Sequence, residues 1–423
     1  MSERLVVIGQ GYVGLPLALR ATEAGFQVSG LDVNANVVEA LRAGRSHIDD
    51  VSDDEVVLAL DSGYTPTTDP SCLDSADVVV VCVPTPLSDN GGPDLRAVEE
   101  SARLIGVHIR RGALVILEST TYPGTTEEIF TPLVLAQGFT RDDVPIAFSP
   151  ERIDPGNKVF GVRNTPKVVG GLTPAATEGA YRFYARLVDE VVRAKGAKEA
   201  EMAKLLENTF RHVNIALVNE MLRFSDDLGI DLWDAIDCAE TKPFGFMAFR
   251  PGPGVGGHCI PVDPSYLSHR VRAKLGYAFR MVELAEEINT AAPHYVASRL
   301  ARALNTRGLP VLGTKVLLLG VTYKPNIGDR RESPADPLAL RLVAQGAVLS
   351  YHDPFVETWQ VGVEDERLEL RSCTDPYLAA EEADAVVLLQ PHSVYDLDRL
   401  ARCSRYVLDT RGVLNGHSSI ERL

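Results

Sequence analysis

The strongest candidate for covalent chemistry in this chain is the run Pro251-Gly252-Pro253-Gly254-Val255-Gly256-Gly257-His258-Cys259-Ile260-Pro261-Val262-Asp263-Pro264. Four glycines ahead of a cysteine serve neither helix nor strand formation. They suit a backbone that wraps closely around a ligand and presents a thiol. The ordinary alternative is a small buried cysteine, but the glycine approach and nearby Asp263 favour a nucleophile. A thiol of ordinary pKa, about 8.5, is only a few per cent thiolate at neutral pH, so Cys259 needs a local cation or hydrogen-bond donors. His258 adjoins it, yet consecutive side chains in extended backbone point apart, so His258 is not assigned as the base.

Other groups can assist. Lys204 and Asn208 are four residues apart and project from one helix face, where together they can stabilise a developing alkoxide. A solvated helix face is the plainer alternative. Glu118-Ser119-Thr120-Thr121-Tyr122-Pro123-Gly124 and Ser149-Pro150-Glu151-Arg152 each follow an apolar run, at strand ends where open α/β sheets bind ligands. Glu151 is therefore a candidate acid/base or water-positioning group, against the reading of an ordinary surface carboxylate.

A second chemistry is nucleotide binding. Gly9-Gln10-Gly11-Tyr12-Val13-Gly14 is a GxGxxG motif directly after Leu5-Val6-Val7-Ile8. The glycines permit a tight turn, close approach of a pyrophosphate and close helix–strand packing, and the helix N-terminus offers free N–H groups. Alone the motif is weak. Here a second apolar run ends at Asp32, 18 residues beyond Gly14, where a carboxylate can accept both ribose hydroxyls. A 2′-phosphate would meet like charge, and no Arg stands in Val33-Asn34-Ala35-Asn36, so NAD is favoured over NADP. The later run Gly313 to Tyr323 lacks this loop, which leaves open a different nucleotide or plain scaffold.

The elements that must position these groups read as sheet, helices, sheet. Predicted strands are Leu5–Ile8, Gln27–Leu31, Val78–Val83, Leu114–Glu118, Pro145–Phe148 and Val168–Val169, with helices including Leu15–Ala24 and Leu95–Ile109 between them. Buried runs rich in Val and Ile joined by helices predict a parallel sheet covered on both faces. From Glu199 to Leu228 apolar residues recur at helical spacing, which predicts one long helix, with further helices to about Leu304. Strand character returns at Lys315–Leu319, Val348–Tyr351, Ala385–Leu389 and Tyr406–Asp409.

Bulk composition limits the alternatives. With 423 residues the chain has room for about three domains. A net charge of -16 argues against a general nucleic-acid binder, though a few local cations can still hold one anionic small molecule. No apolar run approaches the ~20 residues of a membrane span, and the first run stops too early for a signal peptide. The six cysteines show no CxxC spacing, which disfavours a disulfide framework or a zinc site and fits a reducing cytoplasm.

Taken together, Gly9 to Gly14, Glu118-Ser119-Thr120, Ser149-Pro150-Glu151, Lys204 with Asn208, Gly256-Gly257-His258-Cys259 with Asp263, and Tyr323-Lys324-Pro325 with Asp329-Arg330-Arg331-Glu332-Ser333 resemble the UDP-glucose/GDP-mannose dehydrogenases, in the family's order and over nearly the whole chain. The resemblance implies an α/β protein with two Rossmann-like parallel-sheet domains joined by a long central helix that also builds a homodimer. Its parts would be an NAD-binding domain at 1–195, a central helical domain carrying the cysteine loop at 196–305, and a nucleotide-sugar-binding domain at 306–423. It implies four-electron oxidation of the C6 hydroxymethyl of a UDP-sugar to the uronate, with two NAD consumed. By resemblance Cys259 forms a thiohemiacetal and then a thioester. Lys204, Asn208 and Asp263 support oxyanion and proton chemistry, while Thr120 and Glu151 position the water.

Gly9, Gly11, Tyr12, Val13, Gly14, Asp32, Thr85, Ser119 and Arg331 are then cofactor contacts. Glu151, Arg152, Lys204, Asn208, Arg250, Gly254, Gly256, Gly257, Tyr323 and Lys324 are substrate contacts. Two departures matter: Pro155 stands where many UDP-glucose members have a second glutamate, and Gly-Gly-His-Cys replaces Gly-Gly-Ser-Cys. Both resemble the branch acting on UDP-N-acetylhexosamines, especially UDP-N-acetylglucosamine, with UDP-glucose and dTDP-glucose as alternatives. An arginine frequent in the family after the ribose carboxylate is also missing, with Val37 in that region. A two-electron β-hydroxyacid dehydrogenase is the rival, since it too joins a Rossmann domain to helices, but it needs neither Cys259 nor a second nucleotide fold.

Overall fold

The computed structural model describes residues 2–48, 50–88, 92–153, 157, 159–257, 260–362, 368–414 and 416–423. His258, Cys259 and Pro155 lie outside the described residues. The chain divides into two compact units, Met1–Glu207 with Ser265–Gly276, and Asn208–Pro264 with Tyr277–Leu423.

The first unit is built on eight strands: β1 (Arg4–Ile8), β2 (Gln27–Leu31), β3 (Tyr64–Thr67), β4 (Val78–Val81), β5 (Leu114–Leu117), β6 (Ile146–Phe148), β7 (Lys167–Gly171) and β8 (Val191–Arg193). Their order is β3-β2-β1-β4-β5-β6-β7-β8. Val7 of β1 registers with Gly30 on one side and Val80 on the other, so the order reverses at the carboxyl ends of β1 and β4. That reversal opens the crevice in which such sheets bind ligands. The expected parallel sheet has one exception, because β6 and β7 pair antiparallel.

Alternation along β1 explains the two-sided core. Leu5 and Val7 pack with Leu15, Ala18, Phe183 and Tyr184 on one face. Val6 and Ile8 pack with Val98, Ala102, Ile105 and Phe130 on the other. Strand β4, four consecutive valines, is buried throughout, as β-branched residues covered by helices on both faces should be.

The second unit has β9 (Lys315–Leu319), β10 (Val348–His352), β11 (Thr358–Val361), β12 (Leu368–Arg371), β13 (Ala385–Leu388), β14 (Val407–Asp409) and β15 (Ile420–Arg422). Five of them form a sheet in the order β10-β9-β13-β14-β15, and β11 and β12 form a hairpin. The five-stranded sheet is parallel throughout. Val316 and Leu318 pack with Val296, Leu300, Leu338 and Leu342, while the alternate residues Leu317 and Leu319 face Ala380 and Leu400.

The predicted long helix runs from Ala197 to Leu228, about 48 Å at 1.5 Å per residue. It begins in the first unit and continues into the second. Leu206, Phe210, Leu217, Phe224 and Leu228 leave it exposed, spaced by four or seven residues along one stripe. Among the described residues no helix is long and apolar enough to cross a membrane. The architecture is thus α/β, with a mostly parallel sheet in the N-terminal part of the chain, a parallel sheet in the C-terminal part and helices between.

Candidate active site

The nucleotide turn follows from what a side chain would strike. Gly9 has φ +89°, and a Cβ there would lie 2.6 Å from the Cys82 carbonyl oxygen. A Cβ on Gly14 would lie 1.8 Å from the Gly9 carbonyl oxygen. Gly11 is different: nothing stands within 4 Å of its missing Cβ, and Gly11 and Tyr12 are exposed. Two glycines therefore close the turn and the third leaves its outer face bare. The following helix, Gly14–Glu23, has Val13 at its N-cap with no side-chain cap, so no side chain competes with an anion at its N-terminal end, although the Leu15 N–H already donates to the Gly11 carbonyl at 3.1 Å.

Asp32 directly follows β2 and is held by backbone N–H groups, from Gln10 to Oδ2 at 2.8 Å and from Asn34 to Oδ1 at 2.8 Å. The second position of the motif is not free. Gln10 is buried, donates to the Val7 carbonyl at 2.8 Å and accepts from the Tyr64 hydroxyl at 2.7 Å. A Cβ on Gly30 would strike both groups, so this glycine makes room for the Gln10–Tyr64 pair. A bare glycine turn, an uncapped helix and an oriented carboxylate fit a dinucleotide with free ribose hydroxyls.

Farther along the same sheet edge, Glu118 and Ser119 follow β5 and Glu151 follows β6. Lys167, the first residue of β7, reaches both carboxylates, with Nζ 3.0 Å from Glu118 Oε1 and 2.9 Å from Glu151 Oε2. Glu151 Oε1 accepts the N–H groups of Arg152 at 2.7 Å and Ile153 at 2.6 Å. Burial opposes ionisation of Glu151, but the charge and hydrogen bond of Lys167, the Ile153 N–H and the charge of Lys204 outweigh it. Its carboxyl is held below the usual carboxylate range. Burial pushes Glu118 the other way, above that range, with Lys167 offsetting only part. The Tyr184 hydroxyl donates to Glu118 Oε1. Lys204 is buried, and Arg152 pairs with Glu207 at 2.8 Å and with the Pro166 carbonyl at 2.7 Å.

Thr120 is part-buried in the loop after β5. That loop is tied by Glu201, a buried residue of the long helix, which accepts from Gly124 N at 2.6 Å, Thr126 N at 2.9 Å and Thr126 Oγ1 at 2.6 Å. The buried Ser119 hydroxyl faces the Val81 carbonyl at 3.4 Å. Thr85 is buried, its carbonyl accepting from the Tyr266 hydroxyl.

In the second unit, Asn208 Nδ2 donates to Asp263 Oδ2 at 2.6 Å, with both residues buried. The approach to Cys259 is built by close contact. A Cβ on Gly256 would lie 2.7 Å from the Glu332 carbonyl oxygen, and one on Gly257 would lie 2.7 Å from the Tyr323 ring. Gly257, at φ +84°, donates its N–H to the Arg331 carbonyl at 2.9 Å. Gly254 sits at φ +129° against Pro334 and Asn289. Gly252 donates to Asn219 Oδ1 at 3.0 Å, and Asn219 donates to Asn289 at 3.1 Å. Gly254, Gly256, Gly257, Tyr323 and the Arg331 backbone thus come together. Lys324 follows Tyr323 in the loop after β9, its carbonyl accepting from Thr322 at 2.9 Å.

The guanidinium of Arg331 lies along Asp329, and that of Arg250 bridges Asp237 at 2.7 Å and Glu240 at 2.8 Å. Sequence reasoning missed Arg411, just past β14. It donates to the Leu389 carbonyl at 2.7 Å, and its Nη1 lies 3.1 Å from the Cβ position of Gly252. Burial pushes this guanidinium down to about 10, an environment that favours a bound anion. The strand-end run Asp409-Thr410-Arg411-Gly412 was the available signal.

The second sheet repeats one device of the first and alters it. Asp353 follows β10 and accepts the Val321 N–H at 2.7 Å, as Asp32 accepts that of Gln10. But Asp353 is buried and lies 3.1 Å from His392 Nε2, so it cannot offer its oxygens to a ribose. The β9 turn is therefore not a second dinucleotide turn.

The chain matches three consecutive parts of the UDP-glucose/GDP-mannose dehydrogenase family: the NAD binding domain over residues 3–188, the central domain over 198–291 and the UDP binding domain over 317–416. It is 36% identical over 422 residues to an NDP-N-acetyl-D-galactosaminuronic acid dehydrogenase of Ralstonia nicotianae, covering 96% of this chain and 95% of that one. It is 33% identical to a UDP-N-acetyl-D-glucosamine 6-dehydrogenase of Pseudomonas aeruginosa, covering 99% of each. Among solved structures, a UDP-D-ManNAc dehydrogenase from Pyrococcus horikoshii superposes with a TM-score of 0.87 at 29% identity, covering 99% of this chain and 98% of that one. With a fitting dinucleotide turn in one unit and a different, anion-favouring strand edge in the other, the chain belongs to the UDP-glucose/GDP-mannose dehydrogenase family and is an NAD-dependent nucleotide-sugar dehydrogenase.

Proposed function

We propose that this enzyme oxidises the C6 hydroxymethyl of a UDP-N-acetylhexosamine, of the UDP-N-acetylglucosamine type, to the uronate in two successive hydride transfers. The observation that carries the reading is the buried Asn208–Asp263 hydrogen bond at 2.6 Å. It joins a donor on the long helix to a carboxylate four residues beyond Cys259, so polar groups converge on the thiol's own segment. NAD, when bound by the Gly9–Gly14 turn and Asp32, supplies the hydride acceptor.

The chain's residues do the rest. Lys204 and Asn208 stabilise the developing alkoxide at C6. The Cys259 sulfur adds to the aldehyde carbon, which keeps the half-oxidised sugar from escaping. The second oxidation leaves a thioester, and a water directed by Glu151 and Thr120 releases the carboxylate with return of the thiol. Tyr323, Lys324, Arg250, Arg411 and the Gly254–Gly257 backbone hold the nucleotide sugar. The sugar assignment draws support from relatives named for N-acetylhexosamine substrates. We assign residues 1–195, 196–305 and 306–423 to NAD binding, the central helical region and nucleotide-sugar binding. The exposed stripe Leu206, Phe210, Leu217, Phe224 and Leu228 is the homodimer face, and the enzyme works in the cytoplasm.

Cys259→Ser tests the mechanism. An alkoxide is a poorer leaving group than a thiolate, so steady turnover is lost and an ester-like adduct accumulates, seen by intact-mass spectrometry. Unchanged turnover in that variant removes the covalent route.

A further inference from the structure

We infer that Lys167 is a positioning residue for the hydrolytic step: bridged between Glu118 and Glu151, it fixes the Glu151 carboxylate in the anionic orientation that receives the water. This rests on the proposed role of Glu151. Hydrolysis of the thioester adds a water oxygen to C6 and breaks the C–S bond. One water proton goes to sulfur and the other to solvent by way of the carboxylate, with no electron transfer. The acceptor must therefore be charged and held still.

Both Glu151 oxygens are engaged, Oε2 by Lys167 Nζ at 2.9 Å and Oε1 by two backbone N–H groups. Lys167 is itself fixed from behind. Its Nζ contacts Glu118 Oε1 at 3.0 Å and lies 5.3 Å from the Tyr184 ring centroid, and Glu118 is buttressed by the Tyr184 hydroxyl. The side chains of Lys167 and Glu151 are 9% exposed and that of Glu118 is fully buried. Two buried carboxylates on one ammonium make a poor staple for a sheet edge, since apolar residues of similar volume would hold β5, β6 and β7 together at no desolvation cost. The arrangement makes sense if the ionised state of Glu151 is what is being maintained.

The test compares Lys167→Met, Lys167→Gln, Lys167→Arg and Glu151→Gln in the full-length enzyme with NAD and UDP-N-acetylglucosamine. Deacylation in Lys167→Met should slow by about tenfold or more, giving a burst of two NADH per subunit and an acyl-enzyme on intact-mass spectrometry. KM for the sugar should stay within about twofold, and Lys167→Arg should restore most of the rate. The acid limb of the deacylation rate should also move to higher pH, because Glu151 protonates more readily without the Lys167 charge. Should Lys167→Met not fold, Lys167→Gln keeps a polar side chain without charge and must show the same burst and adduct. Loss of turnover without adduct, or a rate unchanged from wild type, overturns the inference if Glu151→Gln does accumulate adduct. If Glu151→Gln itself turns over normally, the role of Glu151 fails and takes the inference with it.

Discussion

His212 gives a stability prediction whose size can be worked from its surroundings. It sits on the long helix, 1% exposed, with Nδ1 3.4 Å from Asn289 Nδ2 and Nε2 3.4 Å from Glu286 Oε2. Burial pushes its pKa down to about 4, from an ordinary value of 6.5. The folded state therefore binds this proton more weakly than the unfolded chain, so the contribution is fully present above pH 6.5 and is lost as pH falls toward 4. At about 1.4 kcal/mol per pKa unit the full effect is about 3 kcal/mol, of which about 2 kcal/mol is lost between pH 7.5 and pH 5. Burial raises the pKa of Glu286 itself, which gives the opposite slope. Subtracting the urea-unfolding curves of His212→Phe from those of the wild type isolates the histidine, since Glu286 is present in both. Parallel pH slopes for the two proteins, or a wild type that gains stability relative to the variant on acidification, would refute the reasoning. Because Asn289 also meets Asn219, which holds Gly252, KM for the nucleotide sugar should rise over the same acid range.

The cofactor turn makes two sharper predictions. Asp32→Asn removes charge-assisted acceptance of the ribose hydroxyls, worth about 1.5–3 kcal/mol. KM for NAD should rise about tenfold to a hundredfold while that for NADP changes little or falls, and steady-state kinetics with both cofactors reads this directly. Gly14→Ala should disrupt the turn, with its Cβ 1.8 Å from the Gly9 carbonyl oxygen, and abolish NAD binding by calorimetry. Gly11→Ala meets no protein atom within 4 Å, so its melting temperature should hold while NAD affinity falls. Equal destabilisation by the two alanines would contradict this division of labour.

The parts legible in the sequence were those carried by local pattern. The valine run of β4, the helical periodicity from Glu199 to Leu228 and the glycine turn after β1 each announce themselves in contiguous sequence. Strand β3, Tyr-Thr-Pro-Thr, did not, because an edge strand needs no apolar run and tolerates Pro66. The short strands β8 and β15 are edges of the same kind, and β11 and β12 form a hairpin outside either main sheet. Three residues are hidden in the sequence because tertiary neighbours make them what they are. Lys167 reads as a surface lysine until β5 and β6 bring Glu118 and Glu151 to it. Glu201 reads as one more charge on a polar helix until the Gly124–Thr126 turn closes over it. Gln10 occupies a nominally free motif position, and only the close approach of Gly30 and Tyr64 explains it.

The most direct measurement is the ratio of NADH formed to sugar consumed, taken to completion with UDP-N-acetylglucosamine and, in parallel, UDP-N-acetylmannosamine, UDP-glucose and dTDP-glucose. Two NADH per sugar, with a uronate product and no free aldehyde trapped by hydroxylamine, is the result a thiol-retained double oxidation requires. One NADH per sugar, with an aldehyde or ketone released to solvent, would contradict it.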